Sequence, residues 1–380
     1  MKKKIIATIM VTLVAASAFA GCAKKADSSD TIKIGNIGPL TGKGSTYGQS
    51  VKDGAELYLE EINAAGGING KKVQLVSEDD EMDPNKAIQS FNKLVDDEKV
   101  VAVLGAVTSG SCKAVGPLAT SKGIPMITPS ATEPNITKDG GDFVFRGCFI
   151  DSFQGKILAK YANENLKKKT AAVLYSVTSD YSKGIADAFK AEFEAAGGTV
   201  TQFLSYNDGD KDFNAQLTKI KSSNPDILVL PDYYDKVSLV AKQARDIGIT
   251  SQFLGGDGWE SQELVNLGGT AVSGALYLNP YYAGDSDKNV SDFVAAYKKK
   301  YNKEPDAFAA LSYDSTKILV KAIESANSTD GDKIRQELLK TDLQCVTGKI
   351  TFDADRTAIK GAVIIKVDGD KKILVDKVQP

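Results

Sequence analysis

Histidine is absent from the 380 residues. That removes the Ser-His-Asp triad, the Cys-His dyad and every His-ligated zinc site. Cysteine is scarce, and Cys22, Cys112, Cys148 and Cys345 stand too far apart for a CxxC zinc or redox pair. An excess of basic charge is also missing. Lys and Arg number 47 against 49 Asp and Glu, a net charge of −2, whereas a nucleic-acid surface needs a basic surplus. No nucleic-acid partner, metal or cofactor is expected, and the common routes to hydrolysis are gone before any motif is sought. What remains is ordinary soluble composition, 42% hydrophobic and 25% charged, with length enough for two domains.

The N-terminus has its own chemistry. Lys2, Lys3 and Lys4 precede an uncharged apolar run, Ile5 to Ala20, which is short for a membrane span of about 20 residues. The run ends in Ala18-Phe19-Ala20-Gly21-Cys22, small residues before a cysteine, which reads as a secretory signal over residues 1–21. The placement of Cys22 resembles the bacterial lipobox, with Phe19 where Leu is usual; cleavage elsewhere, with Cys22 a bystander, is the alternative. Cleavage before Cys22 removes three lysines and takes the charge from −2 to −5. Two acyl chains on one cysteine anchor a protein stably, and residues 22–30 are polar enough for a tether. The expected location is extracytoplasmic, at the outer face of the membrane or in the periplasm. Disulfides are permitted there: Cys112 and Cys148 either pair or stay free. No later apolar run approaches membrane-spanning length.

From Ile32 onward strands and helices alternate. Ile32–Ile37, Val73–Val76, Val100–Leu104 and Ile124–Thr128 read as strands. Between them Val51, Ala55, Tyr58 and Ile62 mark one helical face, Ile88, Phe91 and Val95 a second, and Ala114–Thr120 a short third. Gly38–Tyr47 reads as turn throughout. The alternation restarts after Asp151: helix Gln154–Asn165, strand Ala171–Tyr175, helix Lys183–Ala196, strands Thr199–Leu204 and Asp226–Leu230, helix Val237–Ile247, strand Gln252–Leu254. Three further helices precede a strand-rich C-terminus. Two runs of βα units imply an α/β protein with two doubly wound parallel sheets.

Ligands of such sheets sit beyond the carboxyl ends of the strands, where helix N-termini offer free N–H groups to an anion. In the first run Ser109, Ser130 and Thr132 occupy such loops; the competing role for each is a helix N-cap. In the second run Tyr181, Tyr233, Tyr234 and Asp257 hold matching places. Asp257 lies among glycines, where an acid can approach a cation closely or simply terminate a turn. Glu78–Asp83 is acid-rich but lacks an EF-hand pattern and reads as a helix-capping or solvated stretch. The Gly105-x4-Gly110-Ser111 spacing lacks the lysine of a phosphate loop.

Four stretches carry a more specific signal: Ile34–Tyr47 (IGNIGPLTGKGSTY), Glu61–Asp83 (EINAAGGINGKKVQLVSEDDEMD), Gly123–Thr132 (GIPMITPSAT) and Gln243–Asp257 (QARDIGITSQFLGGD). Through them the chain, from about Ile32 to its C-terminus, resembles type I periplasmic binding proteins of the Leu/Ile/Val-binding branch. The resemblance implies two lobes joined by a three-strand hinge, with residues 31–150 and 281–360 in lobe 1 and 151–280 and 361–380 in lobe 2. It implies an amino-acid ligand in the cleft, its carboxylate on Ser109 and Thr132 with Ser130 adding backbone contact, and its ammonium on Asp257. Tyr47, Tyr181, Tyr233 and Phe308 complete the implied site, suited to an apolar side chain. Met82 and Thr108 stand where some members carry a disulfide. A monomer is implied, with an ABC permease and its ATPase as partners. The alternatives are a sensing module of the same fold feeding a receptor, and an amide or aromatic ligand.

Overall fold

The computed structural model describes residues 31–378; the expected signal, the tether and Cys22 lie outside the described residues. Five strands form one sheet: β1 (Thr31–Gly38), β2 (Lys72–Asp79), β3 (Ala102–Leu104), β4 (Met126–Thr128) and β5 (Val144–Arg146), in the order β2-β1-β3-β4-β5. The β1–β3, β3–β4 and β4–β5 pairs are parallel. Every residue of β3, β4 and β5 is buried, as in strands covered on both faces.

The second sheet collects β6 (Thr170–Ser176), β7 (Thr199–Tyr206), β8 (Ile227–Val229), β9 (Gln252–Gly255) and β10 (Leu276–Asn279). After a separate hairpin of β11 (Asp342–Cys345) and β12 (Gly348–Thr351), the chain returns with β13 (Ala362–Asp368) and β14 (Lys371–Val378). The order is β14-β13-β10-β9-β8-β6-β7. Strands β6 to β10 pair in parallel, and β13 and β14 add an antiparallel edge.

The helices in chain order are α1 (Ser45–Ala64), α2 (Pro84–Asn92), α3 (Ser109–Ser121), α4 (Ile136–Gly140), α5 (Asp151–Lys160), α6 (Asp180–Ala195), α7 (Asn214–Ser223), α8 (Tyr234–Asp246), α9 (Glu263–Gly268), α10 (Lys288–Tyr301), α11 (Ala307–Ala326) and α12 (Gly331–Leu338). Their starts follow local chemistry. Asp83 accepts from Asn85 and Lys86 N–H groups ahead of Pro84 at the first helical position, and Ser179, Asp287, Asp306 and Asp330 cap α6, α10, α11 and α12 in the same way.

The chain passes between the sheets three times, at 147–150, 280–287 and 353–361. The first and third passages are tied side by side: Arg146 N donates to Arg356 O at 3.0 Å, and Ala358 N to Arg146 O at 2.9 Å.

Several elements differ from the sequence reading. Helix α1 begins at Ser45, inside the stretch read as turn, because Gly44 takes the left-handed conformation and ends the loop there. Helix α3 begins at Ser109 and α5 at Asp151, both earlier than the apolar periodicity shows, because their first turns face the other sheet's loops rather than a core. Strands β5, β10 and β11 and helices α4, α7 and α9 gave no signal; each is short and held by its neighbours. Cys112, Cys148 and Cys345 are free and buried, so Cys112 and Cys148 are unpaired. Burial pushes the Cys112 and Cys345 thiols up to about 12.

Candidate functional site

Strand order decides where a doubly wound sheet binds. In the first sheet β1 is followed outward by β2 on one side and β3 on the other; in the second, β6 stands between β7 and β8. At such reversals the loops beyond adjacent strands part and leave a crevice. Helix α1, after β1, carries Tyr47 in its first turn, and α3, after β3, begins with Ser109. In the second sheet α6, after β6, begins with Asp180-Tyr181, and Tyr233 caps α8 after β8. One strand further out, Ser130 and Thr132 follow β4, and Asp257 follows β9.

These loops meet around one narrow cavity of about 10 Å3, room for about one water molecule with the loops this close. Tyr47, Ser109, Ser130, Thr132, Tyr181, Tyr233, Asp257 and Phe308 all line it, with Val107, Thr108 and Gly258. A wider recess of about 980 Å3, open to solvent, lies elsewhere and includes Glu260, Asp306 and Lys372. Two of its acids are already engaged: Glu260 accepts from Lys372 at 2.9 Å and from the Tyr277 hydroxyl, and Asp306 caps α11. The narrow cavity, where polar groups from the loops of both sheets converge, is the candidate site.

Its walls are aromatic. Tyr47 packs on Phe308 with ring centroids 4.4 Å apart, and Tyr181 stacks on Tyr233 at 4.8 Å. Tyr47 also joins the two halves: its hydroxyl donates to Gly258 O and accepts from Tyr234 N at 3.3 Å.

The polar groups divide by half. On the first, Ser109 Oγ accepts from the Thr132 and Glu133 N–H groups at 3.2 and 3.3 Å. Its lone pairs are thus occupied and its proton is left to give to an anion. Thr108 makes no side-chain cap, so the first N–H groups of α3 have no intrahelical acceptor and carry the positive end of the helix dipole. The Ser130 hydroxyl donates to Val107 O at 2.8 Å and braces one loop against the other, which leaves Ser130 its backbone for a ligand, the contact that the resemblance implies. Thr128 Oγ1 accepts from Ala131 N at 3.0 Å and donates to Ala106 O at 2.7 Å, fixing the same turn.

On the second half Asp257 is the one ionisable carboxyl in the cavity wall. Its Oδ1 accepts from the Tyr181 hydroxyl and from Gln154 Nε2, each at 3.0 Å. Burial pushes this carboxyl up to about 6, opposed by those two donors. No side chain donates to Oδ2.

Gln154 and Asp151 escaped the sequence reading. Gln154 and Asp151 sit on a helix about a hundred residues before Asp257, and only a polar i, i+3 pair among apolar neighbours hints at them. Trp259, beside the acid in sequence, turns away from the cavity. It is fully buried and donates Nε1–H to Leu230 O at 2.9 Å. Its ring lies against Gly255, where a Cβ would come within 2.0 Å. The Glu78–Asp83 stretch is structural: Asp79 accepts from Leu40 N at 2.8 Å and so holds the loop that leads to Tyr47, while Asp83 caps α2.

A family model described as "Periplasmic binding protein" matches residues 31–372. The chain belongs to the periplasmic binding protein family. This is a family of solute binders, not of catalysts. Among relatives, the leucine-, isoleucine-, valine-, threonine- and alanine-binding protein of Pseudomonas aeruginosa is 36% identical over 90% of this chain and 91% of its own. Among solved structures, a leucine-binding protein of Thermotoga maritima is 37% identical, with a TM-score of 0.88 over 92% of this chain and 99% of that one. A branched-chain amino acid transporter substrate-binding protein of Streptococcus pneumoniae, in complex with isoleucine, is also 37% identical, with a TM-score of 0.87 over 92% and 100%. The two-lobed α/β fold expected from the sequence is thus the fold of this binding protein, and family membership implies an extracytoplasmic location. Among the described residues no helix is long and apolar enough to cross a membrane.

Proposed function

We propose that this binding protein captures a branched-chain or other apolar α-amino acid by closing its two lobes, and delivers it to an ABC transporter permease. The observation that carries the reading is the division of charge across the cavity. Ser109 and the α3 N-terminus on one lobe suit a carboxylate, and Asp257 on the other suits an ammonium. Charge-assisted hydrogen bonds are roughly twice as strong as neutral ones. A zwitterion held at both ends binds the closed arrangement better than the open one and so draws the lobes together. Thr132 would join Ser109 on the carboxylate, and Tyr47, Tyr181, Tyr233 and Phe308 would surround the side chain, with apolar and aromatic area to bury it. The named ligands of the similar proteins, leucine and isoleucine among them, support this class.

In this reading lobe 1 comprises residues 31–150 and 281–360, lobe 2 comprises 151–280 and 361–380, and the three passages between sheets act as the hinge. The protein is a monomer, exported on residues 1–21 and held to the membrane by lipid on Cys22. Calorimetry with leucine, isoleucine and valine tests the ligand. One-to-one binding is expected, and Asp257→Ala should weaken it by about 30-fold or more, the cost of removing one partner of a desolvated charge pair. Unchanged affinity in that variant sinks the assignment. Fatty-acid labelling lost in Cys22→Ser tests the anchor.

A further inference from the structure

Asp257 is not placed by its own loop alone. Gln154, fully buried, grips it at two points: Nε2 donates to Asp257 Oδ1 at 3.0 Å, and Oε1 accepts from Asp257 N at 3.0 Å. The same Nε2 donates to Asp151 Oδ1 at 3.3 Å. One amide nitrogen has two protons, and here each serves a carboxyl. The approach is possible only because Gly256 has no side chain; a Cβ there would lie 2.7 Å from Gln154 Oε1.

Asp151 is itself fully buried, and its Oδ2 has no hydrogen-bond partner in the protein. It opens α5 at the first passage between lobes, and its main-chain N–H donates to Thr132 O at 2.8 Å. Asp151 thus touches the carboxylate-side loop of one lobe and, through Gln154, the acid of the other. The charged and titratable groups around the pair are few. Tyr181 and Tyr233 face both carboxyls, Cys148 lies near both, and Arg146 and Glu133 face Asp151. Arg146 is already committed to Glu133 O at 2.6 Å and Pro134 O at 3.1 Å. Two carboxylates sharing one amide in a dry pocket repel, so one of them keeps its proton. The carboxyl with a partnerless oxygen, Asp151, is pushed well up by burial and by Asp257; Asp257, with two side-chain donors, carries the charge.

We propose that Gln154 is a positioning residue for Asp257, and that Asp151, acting through it, is a proton-holding partner that governs how readily Asp257 stays anionic for an incoming ammonium. The inference rests on the reading of Asp257 as ammonium acceptor, and its test separates the two. The titration of the Asp257 carboxyl is followed by carbon NMR in the ligand-free protein, with its signal assigned through Asp257→Asn. Gln154→Leu should raise the midpoint by about one pH unit, because a donor to the anion is lost. Asp151→Asn, which copies the protonated acid, should leave it in place, because a neutral neighbour does not repel the Asp257 anion. Leucine affinity at neutral pH should fall about tenfold or more in Gln154→Leu. If Gln154→Leu does not fold, Gln154→Met takes its place. A midpoint that stays put in Gln154→Leu, or one that falls by about a pH unit in Asp151→Asn, overturns the inference even where leucine binds the wild type normally. A wild type that does not bind leucine overturns the ammonium reading instead, and the ligand-free titration still decides the role of Gln154.

Discussion

Asp257 has to be negative to hold an ammonium, and burial lifts its carboxyl to about 6. Ligand affinity should therefore be flat above that pH and fall about tenfold per unit below it. Calorimetry from pH 4.5 to 8 reads the slope, and a profile flat to pH 4.5 counts against the acid's role. Asp232, buried beside Tyr206 and accepting from Tyr233 N at 2.8 Å, is pushed up to about 7 by burial. Its sign runs opposite to that of a salt-bridged carboxylate. The folded protein holds the proton more tightly than the unfolded chain, so this group weakens the fold progressively as pH rises from about 4 to about 7. Asp232→Asn should gain stability at pH 8 relative to pH 4, by up to about 4 kcal/mol. Urea melts at the two pH values measure it, and an equal effect at both refutes it.

At the scale of elements, close helix contacts rest on glycines that periodicity alone undervalues. Gly54 lies within α1 where it meets α11; a Cβ there would stand 2.2 Å from Ala309 O and 2.9 Å from its carbonyl carbon. In an exposed helix Gly→Ala stabilises by about 1 kcal/mol. Here the two backbones must part, which costs about 1–3 kcal/mol. The clash wins, so Gly54→Ala should lower the melting temperature despite its better propensity. A variant that melts higher would show that α11 yields freely. Because α11 carries Phe308 near its start and α1 carries Tyr47, the same change should also weaken leucine binding.

For the molecule as a whole, the halves are bridged at the rim as well as in the cavity. Lys43 pairs with Asp208 and Lys113 with Asp180, each at 3.1 Å and each a first-lobe lysine with a second-lobe aspartate. The pairs are exposed, and such pairs are worth about 0.2–1 kcal/mol each and are screened by salt. The Asp208 loop is nevertheless braced, since buried Lys236 donates to the carbonyls of Asp208 and Asp210 at 2.6 and 2.7 Å. Raising salt from 50 to 500 mM should weaken leucine affinity by about threefold. Lys113→Glu should weaken it similarly at low salt, and Lys113→Glu with Asp180→Lys should restore it. Small-angle scattering should show a smaller radius with leucine bound; an unchanged radius argues against closure.

Much of this architecture was legible in advance. Apolar runs such as Val100–Leu104 and the spacing of Val51, Ala55, Tyr58 and Ile62 report a strand and a helix face because burial imposes a period on the chain. Turn chemistry marked the loops, and the eight residues expected around the ligand do share one cavity. Short elements such as β5 and α7 were silent, because three to ten residues held by neighbours carry too little pattern of their own. The partnerships were silent too. Gln154 and Asp257 lie 103 residues apart, Trp259 faces the core although it adjoins the acid, and the Ser130 hydroxyl is spent on Val107. Residue type and local order fix which strands, helices and hydrogen-bonding groups the chain can offer. Which of those groups meet, which are dried by burial, and which acid keeps its proton depend on long-range packing, because dielectric and distance are properties of the folded assembly rather than of any stretch within it.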